Sequence, residues 1–159
     1  MIWPLSIAIL LISLIMLIIL MRIDLRDRLL PNIYVFPFGV LGLLFHSLHS
    51  FSYCPPESMA LGALGGAGLL LGVRFFANAY YKRDTLGLGD VKLMGAAGLW
   101  LGLEHIFLAI SLGAFFGVLH GLGYAVYKKS PSLAQLSIPA GPAFIAAIIQ
   151  IFLIKILWT

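Results

Sequence analysis

Residues 2–21 read IWPLSIAILLISLIMLIILM, twenty positions without a charged side chain. A transmembrane helix needs about 20 mostly apolar residues to cross about 30 Å of hydrocarbon, so this stretch is long enough to be a full span. With no basic region before it, it is expected to be a retained helix that also acts as an uncleaved insertion signal. The rest of the chain is written the same way. Hydrophobic residues make up 62% of the 159 and charged residues 10%, whereas an ordinary soluble domain is about 25% charged. Mean hydropathy is +1.07. A soluble fold of this size could not bury so much apolar surface, so the excess faces lipid. A soluble enzyme, a disordered chain, a disulfide scaffold and a soluble nucleic-acid binder are excluded.

Six segments reach or approach the length of a span: Ile2–Met21, Ile33–Tyr53, Ser58–Tyr80, Leu86–Leu103, His105–Tyr127 and Ile138–Trp158. The fourth is the weakest, because its uncharged part begins only after Lys92. The expected fold is all-α, a polytopic bundle of six transmembrane helices forming one integral-membrane domain over residues 1–159. The net charge of +4 is unevenly placed. Arg22, Arg26, Arg28, Arg74, Lys82, Arg83, Lys92, Lys128 and Lys129 fall on one side of this layout, and Lys155 alone near the other. By the positive-inside bias, connections one, three and five are cytoplasmic and both termini lie outside. Gly62/Gly66, Gly68/Gly72, Gly113/Gly117 and Gly117/Gly121 repeat at four-residue spacing, which gathers small residues on one helix face and predicts close helix packing. Cys54 is the only cysteine, which excludes an internal disulfide, a cysteine-based structural zinc site and a CxxC motif.

The chain has six acidic residues. Glu57 and Glu104 fall in short outer connections and read as solvated. The other four lie on the cytoplasmic side, near hydrocarbon, where carboxylates are costly and usually mark function. Asp27 and Asp84 each stand beside a basic residue, and surface pairing is the favoured reading for both. Asp90 is different. In Gly87-Leu88-Gly89-Asp90, two glycines precede a carboxylate at the mouth of a span, so the helix can start late or open and leave room for a peptide. Asp24 sits at the end of the first span, in Asp24-Leu25-Arg26-Asp27-Arg28-Leu29-Leu30-Pro31-Asn32, where Pro31 suits the end of one helix and the start of the next. This layout puts Asp24 and Asp90 at one membrane depth, on different helices, facing one compartment. An aspartyl protease requires two carboxylates converging on one water. Like charges at close range cannot both ionise easily, so such a pair shares a proton. The ionised member takes a proton from water while the protonated one polarises the scissile carbonyl.

These residues carry a family resemblance. The chain resembles the prepilin peptidases, GxGD-type membrane aspartyl proteases that process type IV pilins and related pseudopilins. Asp24-Leu25-Arg26, with Pro31-Asn32 following, is similar to the family's first aspartate block. Gly87-Leu88-Gly89-Asp90-Val91-Lys92-Leu93, continuing through Gly98-Leu99-Trp100-Leu101-Gly102, is similar to the second. Ser137-Ile138-Pro139-Ala140-Gly141-Pro142 resembles the Pro-Phe-Gly-Pro phrase that opens the family's last helix, with Ala140 in place of phenylalanine. The resemblance implies that Asp24 and Asp90 are the catalytic pair. It also implies a substrate, a short basic cytoplasmic leader ending in glycine ahead of a pilin-like apolar helix, cut just after that glycine. Larger bacterial members carry an N-terminal portion with paired cysteines, associated with methylation of the new N-terminus. This chain starts at its first span with one cysteine, so neither methyl transfer nor bound zinc is expected.

Gly87, Gly89 and Lys92 are the candidate substrate-binding or active-site-loop residues. Lys92 could favour the ionised form of Asp90, contact lipid phosphate, or simply snorkel. His46 and His49 have a spacing that can bind metal, but an interfacial pair is the favoured reading, and His120 could join a polar network or satisfy a backbone carbonyl. The expected partners are a prepilin or pseudopilin peptide and membrane lipid. No nucleic acid, metal or cofactor is expected, and the sequence carries no signal for an oligomeric state. The expected location is the bacterial inner membrane. Two other readings share the same residues: a small carrier or proton channel with Asp24 and Asp90 as ion relays, and an assembly factor that binds pilin helices without cutting. A carrier tends to keep its site at mid-membrane and to show repeated halves, neither of which is visible here.

Overall fold

The computed structural model describes residues 3–128 and 140–158, and every regular element among them is an α-helix. In chain order these are α1 (Trp3–Asp27), α2 (Asn32–Leu48), α3 (Pro56–Tyr81), α4 (Leu88–Lys128) and α5 (Gly141–Trp158). Three helical stretches, Trp3–Asp27, Pro56–Tyr81 and Leu88–Gly123, are long and apolar enough to cross a membrane, while Asn32–Leu48 and Gly141–Lys155 are apolar but shorter. Helices suit such a chain because hydrocarbon offers the backbone no hydrogen-bond partners, and a helix satisfies its own. Large side chains such as Leu11, Ile15, Leu64, Phe75 and Phe115 point outward, as expected for a surface solvated by lipid.

The helix ends follow from local chemistry. Arg28 enters the left-handed region at φ 55 and its N–H still bonds the Asp24 carbonyl at 3.0 Å, closing α1. Pro31 then caps α2, its carbonyl accepting from the N–H groups of Tyr34 and Val35 at 3.1 and 3.3 Å. The sequence reading carried the second span to Tyr53, but α2 stops at Leu48. Ser50 and Phe51 take φ of 50 and 57, and the Phe51 N–H turns back to the His46 carbonyl at 2.8 Å, so residues 49–53 form a turn. The last span was expected from Ile138; α5 begins at Gly141, and residues 138–139 lie outside the described part.

The expected fourth and fifth spans form one helical element, broken at Gly102 with φ 76 and ψ 179. A β-carbon on Gly66 would lie 2.8 Å from both the Met94 carbonyl oxygen and Ile106 Cγ1. Those residues stand on either side of Gly102, and a straight helix would separate them by about 18 Å along its axis. The chain therefore doubles back at Gly102, and α4 is a hairpin of two arms that both face α3. Only glycine reaches this backbone geometry without strain.

α4 is central, packing on α2, α3 and α5, while α1 packs on α2 and α5. Gly62 and Gly98 bring backbones together: a β-carbon on Gly98 would stand 2.3 Å from the Gly62 carbonyl. Gly113 likewise admits the Phe144 ring of α5. The spacing of Gly68 and Gly72 predicts packing, yet a β-carbon at either position would meet nothing within 4 Å among the described residues, so that spacing marks an open face of α3. Trp100, 1% exposed, anchors the core. Its Nε1 donates to the Phe38 carbonyl at 2.7 Å, and its ring meets Phe38, Phe45 and Phe152.

Candidate active site

Asp24 lies one turn before the end of α1, and Asp90 in the first turn of α4. Both are buried, with 5% and 7% of their surface exposed. They are sixty-six positions apart in the chain, yet the Asp24 charge acts directly on Asp90. α1 and α4 themselves make no close backbone contact among the described residues. The two carboxyls thus lie near enough to interact across the space between two helices.

Three glycines permit that approach. A β-carbon on Gly89 would sit 2.8 Å from Leu30 Cβ, so Gly89 lets the connection that follows Asp24 settle against the start of the helix that carries Asp90. Gly87 lies so near Asp90 that a β-carbon there would be 3.1 Å from Oδ2, and its backbone amide is directed at that carboxyl. Gly141, the first residue of α5, does the same for Asp24: its amide faces the carboxyl, and a β-carbon would lie 2.4 Å from Oδ2. Asp24 Oδ2 and Asp90 Oδ1 are left buried with no hydrogen-bond partner among the described residues. Leaving such oxygens unpaired is costly in a fold that satisfies most buried polar groups.

Of the other candidate residues, Gly87 and Gly89 stand at the site and Lys92 beside it. α4 begins at Leu88, two residues after the expected start at Leu86, and includes Gly89 and Asp90. Lys92 Nζ donates to Asn32 Oδ1 at 3.2 Å, clipping α4 to the start of α2. Asp27 and Asp84 pair as expected, with Arg26 at 3.7 Å and Arg74 at 2.8 Å. Among the described residues no three of His, Cys, Asp and Glu gather as a metal site would require. Sequence reasoning missed Gly141 and Leu30. Gly141 had a signal, its place just before Pro142 at a helix start; Leu30 had none, since its role is only to touch Gly89.

Residues 11–122 match the model of the type IV leader peptidase family. The chain is similar to the prepilin leader peptidase/N-methyltransferase of Aeromonas salmonicida (strain A449), 30% identical over 120 residues, which cover 76% of this chain and 40% of that protein. The prepilin leader peptidase/N-methyltransferase of Escherichia coli (strain K12) is 34% identical over 110 residues, 67% of this chain and 45% of the relative. Leader peptidase HopD of Salmonella typhimurium (strain LT2) is 33% identical over 122 residues, 75% of each. The chain thus spans less than half the length of the first two. No solved structure gives a significant match.

Proposed function

The chain belongs to the type IV leader peptidase family, and we propose that it is a membrane aspartyl endopeptidase that removes the basic leader of a type IV prepilin or pseudopilin. The observation that supports this reading is the pairing of Asp24 with Asp90: two buried carboxyls from distant segments, near enough for the charge of one to act on the other, each approached by one backbone amide and each keeping one oxygen unpartnered among the described residues. The proposal covers leader cleavage only.

In the reaction the ionised aspartate takes a proton from a water molecule, whose oxygen adds to the carbonyl carbon of the bond after the leader's terminal glycine. The neutral aspartate donates its proton to the carbonyl oxygen. Collapse of the tetrahedral species breaks the C–N bond: the proton first taken from water leaves on the new amine, and a hydroxyl of the species returns its proton to the aspartate that had donated one, re-forming the C=O. The Gly87 and Gly141 amides hold the two carboxyls in place through this exchange. Counting the arms of α4 separately gives six apolar helical segments. In this reading all six form one domain in the inner membrane, with the dyad at the cytoplasmic face and both termini outside.

The test is cleavage by purified protein in detergent. The substrate is a synthetic peptide with a short basic leader, a terminal glycine and an apolar helix. The wild type is expected to cut after the glycine, and Asp24→Asn and Asp90→Asn to leave the peptide intact. Full cleavage by either variant would reject the assignment. Because detergent micelles hold no ion gradient, the same assay separates proteolysis from an ion-relay role.

A further inference from the structure

The segment joining α3 to Asp90, residues 82–87, is tied back onto α3 by side chains that the dyad itself does not use. Arg74 Nη1 donates to the Leu86 carbonyl, and its Nη2 donates to Asp84 Oδ1 at 2.8 Å. Asn78 Nδ2 donates to the same Asp84 oxygen at 3.0 Å. Asn78 Oδ1 in turn accepts from both the backbone N–H and the hydroxyl of Thr85 at 2.8 Å.

The Leu86 carbonyl and the Gly87 amide are two ends of one peptide unit. That unit is planar, so fixing the direction of its C=O fixes the direction of its N–H. Arg74 grips the oxygen, and the hydrogen of the same plane is directed at Asp90. We infer that Arg74, steadied by Asp84, is a positioning residue for the dyad, holding the Leu86–Gly87 peptide so that the Gly87 N–H stays aimed at the Asp90 carboxyl. The inference rests on the proposed role of Asp90.

The alternative is a surface ion pair without consequence. The Asp84 side chain is 80% exposed, and exposed pairs contribute little by themselves. The Arg74 side chain is only 20% exposed, however, and its second bond goes to backbone beside the site. A planar fork can hold a carboxylate and a carbonyl at once, where an ammonium is a single point. The same geometry makes Asp84 the group that sets the fork's orientation.

The test combines kinetics with amide exchange on the full chain in detergent. Arg74→Gln is expected to lower kcat per folded molecule about tenfold to a hundredfold, the scale of a misplaced catalytic group. KM stays within about twofold, because Arg74 acts through Asp90 and does not itself touch the substrate. Amide exchange over residues 82–89 speeds up while that over residues 96–103 stays slow, and the unfolding temperature holds. Arg74→Lys recovers part of kcat. Arg26→Gln, which removes the same charge from an exposed position, behaves as wild type. Wild-type kcat in Arg74→Gln, or unchanged exchange in residues 82–89, overturns the inference. Asp90→Asn, run alongside, separates the two levels. If it cleaves as the wild type does, the dyad reading falls and the role of Arg74 with it. If it is inactive while Arg74→Gln keeps full kcat, only the role of Arg74 falls.

Discussion

The first arm of α4 has two ends that treat their charged groups differently. At its start, Asp90 and its neighbour Asp24 are buried with one oxygen each unpartnered among the described residues. At its other end, the break at Gly102 frees the Trp100 and Leu101 carbonyls, and these are satisfied. His46 Nε2 donates to the Trp100 carbonyl at 3.0 Å, and Lys155 Nζ reaches the Trp100 and Leu101 carbonyls at 3.3 and 3.1 Å. A cation at a helix C-terminus also complements the negative end of the helix dipole. The Leu103 N–H beyond the break finds Ser58 Oγ at 3.1 Å. His46 Nδ1 at this end is itself buried without a partner among the described residues, so the contrast lies in the charged groups: the Lys155 ammonium holds a helical turn, while each carboxyl keeps an oxygen open. Burial of a charge is thus not by itself a mark of a site, and the state of its hydrogen bonds tells the two cases apart.

The comparison breaks most sharply at the dyad. Asp24→Asn or Asp90→Asn should lower the cleavage rate about a thousandfold or more while the protein stays folded, since each removes an acid–base partner of the proposed reaction. Cleavage rates against circular dichroism of the same samples check this. Next in size are the glycines that seat the carboxyls. Gly141→Ala places a β-carbon 2.4 Å from Asp24 Oδ2, and a displacement of that kind should cost about a hundredfold in kcat. The rate of a wild-type dyad should also be bell-shaped in pH, because one proton is shared. It is lost at low pH when both carboxyls are protonated and at high pH when both are ionised; a flat profile would contradict the mechanism.

At the other end the effects should be on stability. Lys155→Met leaves the Leu101 carbonyl without its donor, at a cost of about 1–3 kcal/mol. Gly102→Ala adds strain at φ 76 and sets a β-carbon 2.7 Å from Ser58 Oγ, for about 1–3 kcal/mol more. Unfolding in detergent measures both, and kcat per folded molecule should hold. The smallest effect belongs to Asp27→Asn, whose exposed pair with Arg26 is 3.7 Å long; neither activity nor unfolding should move measurably.

Much of this was legible in the sequence because membrane chemistry is severe. Uncharged runs locate helices, and a carboxylate in Gly87-Leu88-Gly89-Asp90 is conspicuous where so few charges are allowed. Asp24 was found the same way. What could not be read depends on how helices meet. Gly68 and Gly72 have the same spacing as Gly62 and Gly66, but only the latter face another backbone. In the sequence Lys155 is a lone cation near the outer face; only the break at Gly102 supplies carbonyls for it. Lys92 reaches Asn32, sixty positions away, and Gly141 reaches Asp24 from the far end of the chain. Periodicity reports which face of a helix is apolar; it does not report which partner that face finds.

The central claim is that Asp24 and Asp90 work as one unit, and a double-mutant cycle on cleavage rate tests it most directly. If they share one proton and one water, Asp24→Asn, Asp90→Asn and the double variant should all fall to the same residual rate, because losing either partner already disables the pair. Single losses that multiply in the double variant would show two carboxyls acting independently and would contradict the account.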